Sequence, residues 1–272
     1  MKRLNPSNKP GSECYSPFGK NIQELLGGIR YKNCSPGMFK NNYLGIMQLF
    51  FDRMISHPAS SSSALKKRKA TMEKLIVGGI VCVGGFYRRI DRKDKVRKMI
   101  LPHSEEIIGL GDNVLARGGH LNGDEERVFE FGHSMPKYIK KVDLIVPVAS
   151  EGFEPALLLA DIYGTSSIFP IRYSHFKMDD KEPVIPSIYS PEDCNKIIKK
   201  KRVVVVEGST GSGTSIGEVA KFVSDRNPKS LELVIVNGFL PKNYKDIYMD
   251  EKKHRTRYAP YVKGGPEVVG VA

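Results

Sequence analysis

The chain has 272 residues, 40% of them hydrophobic and 27% charged, and a formal net charge of +13. That length supports one generous domain or two of ordinary size, and no uninterrupted apolar run reaches the roughly 18 residues of a membrane span. Cys14, Cys34, Cys82 and Cys194 show no CxxC spacing and the six histidines show no ligand spacing, so neither a zinc site nor a disulfide framework is supported and no metal-ligand set is expected.

Residues 1–71 read as a basic, partly irregular extension. Pro, Gly, Asn and Ser recur there, and the run Ser60 to Ser63 leads into Lys66, Lys67, Arg68 and Lys69. One helix is expected inside it, because apolar residues at 44, 46, 47, 50, 51, 54 and 55 share a face at helical period. The first residues are basic but lack the apolar stretch and cleavage site of a secretory signal, which sets a cytoplasmic location as the expectation.

Residues 72–122 have a different texture. Lys74 to Phe86 and Val96 to Leu115 are rich in Ile, Val and Gly with charged breaks, the pattern of short strands in a small β-rich unit. Up to residue 125 there are 21 Lys and Arg against 11 Asp and Glu, whereas the remainder has 22 against 19. The basic excess therefore sits in the first part, which is either a solvated basic surface or a face for nucleic acid.

From residue 123 to 272 helix and strand signals alternate. A helix is expected over Glu125 to Lys141, a buried strand over Asp143 to Ala149, an Ala- and Leu-rich helix over Pro155 to Tyr163 and a second strand over Ser167 to Arg172. The run Arg202 to Val206 is β-branched throughout its apolar part, as in a parallel strand covered on both faces, and a helix from Ile216 and a strand from Leu231 follow. This alternation implies an α/β fold with a parallel sheet and a ligand site at the carboxyl ends of its strands.

The candidate site follows the third of these strands. Glu207, Gly208, Ser209, Thr210, Gly211, Ser212, Gly213, Thr214 and Ser215 combine glycines for a tight turn, hydroxyl donors and a helix start, where the dipole favours an anion. Gly208 to Ser215 also matches a Walker A loop except that Thr214 stands where lysine should reach the β- and γ-phosphates, which leaves a degenerate nucleotide-binding loop as one alternative.

Val203 to Ser215 resembles the type I phosphoribosyltransferases, whose pattern is a hydrophobic strand, two acidic residues and a short turn ending in Thr-Gly-Gly-Thr or a variant. A second element, Ile145 to Phe153, is similar to the strand and pyrophosphate loop of the adenine-type members and their purine-repressor relatives, and places Ala149, Ser150, Glu151 and Gly152 in that loop. The resemblance implies a parallel sheet of this family's kind, a pocket for phosphoribosyl pyrophosphate or a nucleoside monophosphate, and magnesium. It gives Glu207 the catalytic place as acceptor for the ribose hydroxyls, and the turn from Gly208 to Ser215 the phosphate. Polar residues between 174 and 190 suit the family's hood, with Arg172, Tyr173, His175 and Lys177 at its entrance. Two positions depart from the pattern: Gly208 replaces the second acid, and Glu151 replaces a Lys or Arg. An active member would be a glycosyltransferase acting on a nitrogen base. The other implied function is a non-catalytic sensor whose basic N-terminal part contacts nucleic acid, and a second copy of the chain is a candidate partner.

Overall fold

The computed structural model describes residues 4–5, 17, 19–111, 125–149, 151–174, 180–210, 213–238 and 254–256. Five helices come first: α1 (Ile22–Arg30), α2 (Pro36–Ser56), α3 (Ser62–Arg88), α4 (Lys93–Ile100) and α5 (Ser104–Gly111). The rest alternates as α6 (Glu125–Tyr138), β1 (Leu144–Ala149), α7 (Phe153–Tyr163), β2 (Ile171–Arg172), α8 (Pro191–Ile198), β3 (Arg202–Thr210), α9 (Thr214–Ser224), β4 (Ser230–Gly238) and β5 (His254–Thr256).

The strands form one parallel sheet in the order β2-β1-β3-β4-β5. Its pleat sorts the β-branched runs between two layers with period two. Val204, Val206, Val234 and Val236 pack in a cluster with α1 to α7, whereas Val203, Val205, Leu233 and Ile235 pack against α8 and α9 through Cys194, Ile198, Ile216, Val219 and Val223. Both faces are covered, as the continuous apolar run of β3 requires.

The strands expected between residues 72 and 122 are corrected. Lys74 to Phe86 lies inside the 27-residue helix α3, and among the described residues 72–111 all regular structure is helical. The glycines that suggested turns serve close packing instead. A Cβ on Gly78 would stand 2.3 Å from Tyr43 Oη, one on Gly79 2.9 Å from Met47 Sδ and 3.0 Å from Leu157, and one on Gly84 2.6 Å from the Asp161 carboxyl carbon. Each glycine admits a neighbour that any side chain would exclude, and those contacts offset the roughly 1 kcal/mol that glycine costs a helix. This helix is long and apolar enough to cross a membrane by length and composition, but 61% of its apolar window is buried inside the protein.

The chain is not divided in packing at 72 or 123. One hydrophobic cluster joins Phe39, Tyr43 and Met47 of α2 and Leu75 and Val83 of α3 to Phe153, Leu157 and Leu158 of α7. Ions cross the same contact. Lys40, 1% exposed, lies 2.5 Å from Glu154 and 3.3 Å from Glu125, and Tyr87 Oη donates to Glu154 at 2.7 Å. Arg88 pairs with Asp161 at 2.7 Å. These partners were not anticipated, although a signal was present: Glu154 and Asp161 are carboxylates in an otherwise apolar helix, and a buried carboxylate needs a buried cation or donor.

Candidate functional site

The site is positioned by the strand order. From β1 the chain crosses to β2 on one side, then returns past β1 to β3 on the other, so the connections diverge between β1 and β3. In an open α/β sheet this reversal opens a crevice at the carboxyl ends, where ligands bind. The loops that leave these ends are Ser150 to Gly152 and Gly211 to Gly213, the two that the sequence singles out.

The loops touch. Ser209 Oγ donates to Glu151 Oε2, tying the end of β3 to the loop after β1. A Cβ on Gly208 would come within 2.4 Å of the Glu151 carbonyl oxygen, and one on Gly152 within 2.4 Å of Val206 O and 2.7 Å of Val148 O. Neither glycine has a positive φ; both are required by backbone approach. The family's second acid therefore has no room at position 208, because the backbone of the facing loop occupies the space its side chain would need.

Gly213 is different. It adopts φ 77°, the left-handed region open to glycine, and stands as the N-cap of α9 without a side-chain cap. Thr214 and Ser215 begin the helix, two residues before the expected start at Ile216, with their amides at its positive end. Gly211, Ser212 and Ser150 lie outside the described residues, as does the side chain of Thr210. Ala149 is the buried last residue of β1.

Glu207 is 7% exposed. Burial, then the neighbouring Glu151 carboxylate, push its pKa up to about 8, while a backbone hydrogen bond from Ile216 in the first turn of α9 pulls the other way. Among the described residues its Oε2 has no hydrogen-bond partner. The position predicted to accept ribose hydroxyls thus holds a buried carboxyl that favours its protonated form near neutral pH, facing a second acid across the crevice.

The hood residues divide. Arg172 is 8% exposed and tied down: Nε and Nη2 each donate to Asp180 at 3.1 Å, and Nη1 lies 3.4 Å from Asp52 of α2. Ser187 adds a link, its amide and Oγ donating to Met54 O at 3.2 and 2.6 Å. Tyr173 packs in the apolar layer under α8 and α9. Arg172 and Tyr173 are thus engaged within the protein, and His175 and Lys177 lie outside the described residues. The basic cluster is partly engaged as well, since Lys67 and Arg68 lie 3.2 and 3.8 Å from Glu106, and Arg68 also donates to His57 O at 2.5 Å. Among the described residues no three His, Cys, Asp or Glu side chains converge as a metal cluster.

No family profile and no curated protein matches the sequence. Similar solved structures include a purine phosphoribosyltransferase from Pyrococcus horikoshii, with 25% identity over 42% of this chain and 71% of that one and a TM-score of 0.33. A hypoxanthine-guanine phosphoribosyltransferase from Bacillus anthracis has 18% identity over 48% of this chain and 74% of that one, with a TM-score of 0.33. A hypothetical protein from Neisseria gonorrhoeae with bound ppGpp has 11% identity over 53% of this chain and 82% of that one, with a TM-score of 0.39. The chemistry of the crevice is read from this chain's own residues.

Proposed function

We propose that the crevice between β1 and β3 binds a phosphoribosyl compound, either phosphoribosyl pyrophosphate or a nucleoside monophosphate, with its 5-phosphate at the start of α9. The observation that carries this reading is the contact of the loop after β1 with the end of β3 at the strand-order reversal, with the start of α9 at Gly213 following β3 and the buried Glu207 near it. The phosphate would take the amides and hydroxyls of Thr214 and Ser215, and Glu207 would face the ribose. Protonated, its carboxyl donates one hydrogen bond and accepts others, so it suits a hydroxyl-bearing sugar.

Magnesium fits this crevice in a limited way. Such an ion is commonly held by one or two carboxylates together with substrate phosphates, and Glu207 has an oxygen without a hydrogen-bond partner among the described residues, with Glu151 close enough to raise its pKa. Those two residues would hold it once Glu207 gives up its proton, and when bound it would offset phosphate charge. The chain's own part would be to orient the sugar through Glu207 and to seat the phosphate on α9.

Transfer to a nitrogen base would require stabilising a cationic sugar as the pyrophosphate departs. Here the second acidic acceptor is absent, its place closed by the Glu151 backbone, and the pyrophosphate loop carries a negative charge. Binding without efficient transfer is the reading these residues favour, which makes the protein a sensor or carrier of the ligand. Calorimetry with phosphoribosyl pyrophosphate, nucleoside monophosphates and ATP, each with and without magnesium, tests it. Thr214→Ala is expected to weaken monophosphate binding by about 1.5–3 kcal/mol, the worth of a hydrogen bond to a charged group; an unchanged Kd overturns the phosphate assignment. Turnover at about 1 per second or faster with any base overturns the non-catalytic reading.

A further inference from the structure

A second cavity lies in the helical layer, apart from the crevice. It has a volume of about 390 Å³ and opens where α3 ends and α4 begins, over the start of α2. Its lining has two kinds of residue. Phe39, Cys82, Phe86 and Val96 are apolar, with Phe39, Cys82 and Val96 buried. Among the described lining residues Arg89, Arg92 and Lys93 supply three cations against one carboxylate, Asp91.

The backbone explains why these groups converge. Arg89 takes a left-handed conformation, φ 54°, to end α3, and the chain folds back so tightly that a Cβ on Gly85 would stand 2.9 Å from Ile90 O and 3.2 Å from Arg92 Cδ. This turn carries residues 89–93 across the end of α3 and over its apolar face. Lys93 is fixed there, its Nζ donating to Cys34 O at 2.9 Å with Asp91 at 3.6 Å. Below, Phe86 is held by the buried Lys40, whose Nζ sits 4.4 Å from the ring centroid. The start of α2 at Pro36 also lines the cavity, so the positive end of a 21-residue helix adds to the same field. The volume falls within the range of small-molecule pockets, which are largely apolar with a few polar groups that fix orientation. An apolar floor under a cationic rim selects a molecule with an apolar body and one acidic head.

We propose that this cavity is a binding site for a small anionic amphiphile, a flat or short-chain apolar body carrying a single carboxylate, sulfonate or phosphate, with the body on Phe39, Cys82 and Phe86 and the head group at Arg89 and Arg92. It is independent of the crevice, because no residue lining it belongs to either crevice loop.

The test uses the full chain and 8-anilinonaphthalene-1-sulfonate, a sulfonated aromatic probe whose fluorescence rises in apolar surroundings. Saturable binding is expected, weakening as salt is raised because Arg89 is exposed to solvent and Arg92 and Lys93 are partly so. Arg89→Glu with Arg92→Glu inverts the rim and should lower the affinity at least about tenfold, equivalent to about 1.4 kcal/mol. Lys95→Glu with Lys98→Glu makes the same change of charge on α4 outside the cavity and should leave affinity within about twofold. Absence of saturable binding to the native protein, or equal loss in the two double variants, overturns the proposal. If the rim variant fails to fold, Cys82→Met fills the floor conservatively and is read instead, and unchanged affinity there overturns the proposal too.

Discussion

Glu154 and Glu207 are buried to nearly the same degree, 5% and 7% exposed, each close to where a strand gives way to a helix. Glu154, in the first turn of α7, meets Lys40 at 2.5 Å and Tyr87 Oη at 2.7 Å. Glu207, near the end of β3, takes one backbone donor, faces a like charge and, among the described residues, leaves an oxygen without a hydrogen-bond partner. The first carboxylate is satisfied by the protein, and its role is to join α2 and α3 to α7. The second carries a cost that its one backbone donor offsets only in part among the described residues, which is the condition expected where a ligand completes the coordination.

The sharpest way to break this contrast is to orphan Glu154. Lys40→Met removes the cation and leaves two acids buried, and should destabilise the protein by about 3–5 kcal/mol in denaturant unfolding. A loss below about 1 kcal/mol would mean that the pair behaves like a surface ion pair and that the two carboxylates do not differ in kind.

Gly208→Ala probes the crevice side. Its Cβ would meet the Glu151 backbone at 2.4 Å, so a loss of about 1–3 kcal/mol is expected from overpacking. Gly208→Asp should cost at least as much and should fail to restore transfer, because the added carboxylate forces the loops apart. Efficient phosphoribosyl transfer by that variant would show that the crevice is roomier than this contact allows.

The titration of Glu207 gives a third test. Its folded pKa, about 8, is above the ordinary carboxylate value of 4.5, so between those values the unfolded chain is deprotonated at this group while the folded protein holds the proton. Its contribution is fully present below about pH 4.5 and is lost as pH rises toward 8. From about pH 6 to pH 7 the native protein should lose up to about 1.4 kcal/mol that Glu207→Gln does not lose. Parallel stability profiles for the two proteins would remove the contrast with Glu154. The smallest effect belongs to Ser209→Ala, which removes the donor to Glu151. It should cost about 1 kcal/mol by thermal unfolding and raise the proteolytic sensitivity of the loop after β1.

Much of the α/β half was legible in the sequence because its signals are local. Val203 to Val206 are β-branched and flanked by charges, and the structure extends that strand to Thr210. The apolar spacing from 44 to 55 finds its helix in α2. The glycine-rich turn after β3 is recognisable because glycines, hydroxyls and a helix start follow a buried strand. The short strand β2 was overestimated, Ser167 to Arg172 against two residues, since only Ile171 and Arg172 pair along β1 as a strand. Helix α8 went unread although Ser190 and Asp193 form a capping box at its start, because the polar stretch around it suggested a loop.

Sequence alone determined which segments form the central strands and where the glycine-rich turn sits, since both follow from residue type over a few neighbouring positions. Only the tertiary structure decided that Lys74 to Phe86 is helical, because Ile, Val and Gly suit a strand or a buried helix equally until Gly78, Gly79 and Gly84 meet Tyr43, Leu157 and Asp161. It also decided why position 208 is glycine. The side chain is excluded by Glu151, 57 residues away in sequence and one loop away in space, and a contact of that kind has no local signature for a sequence to display.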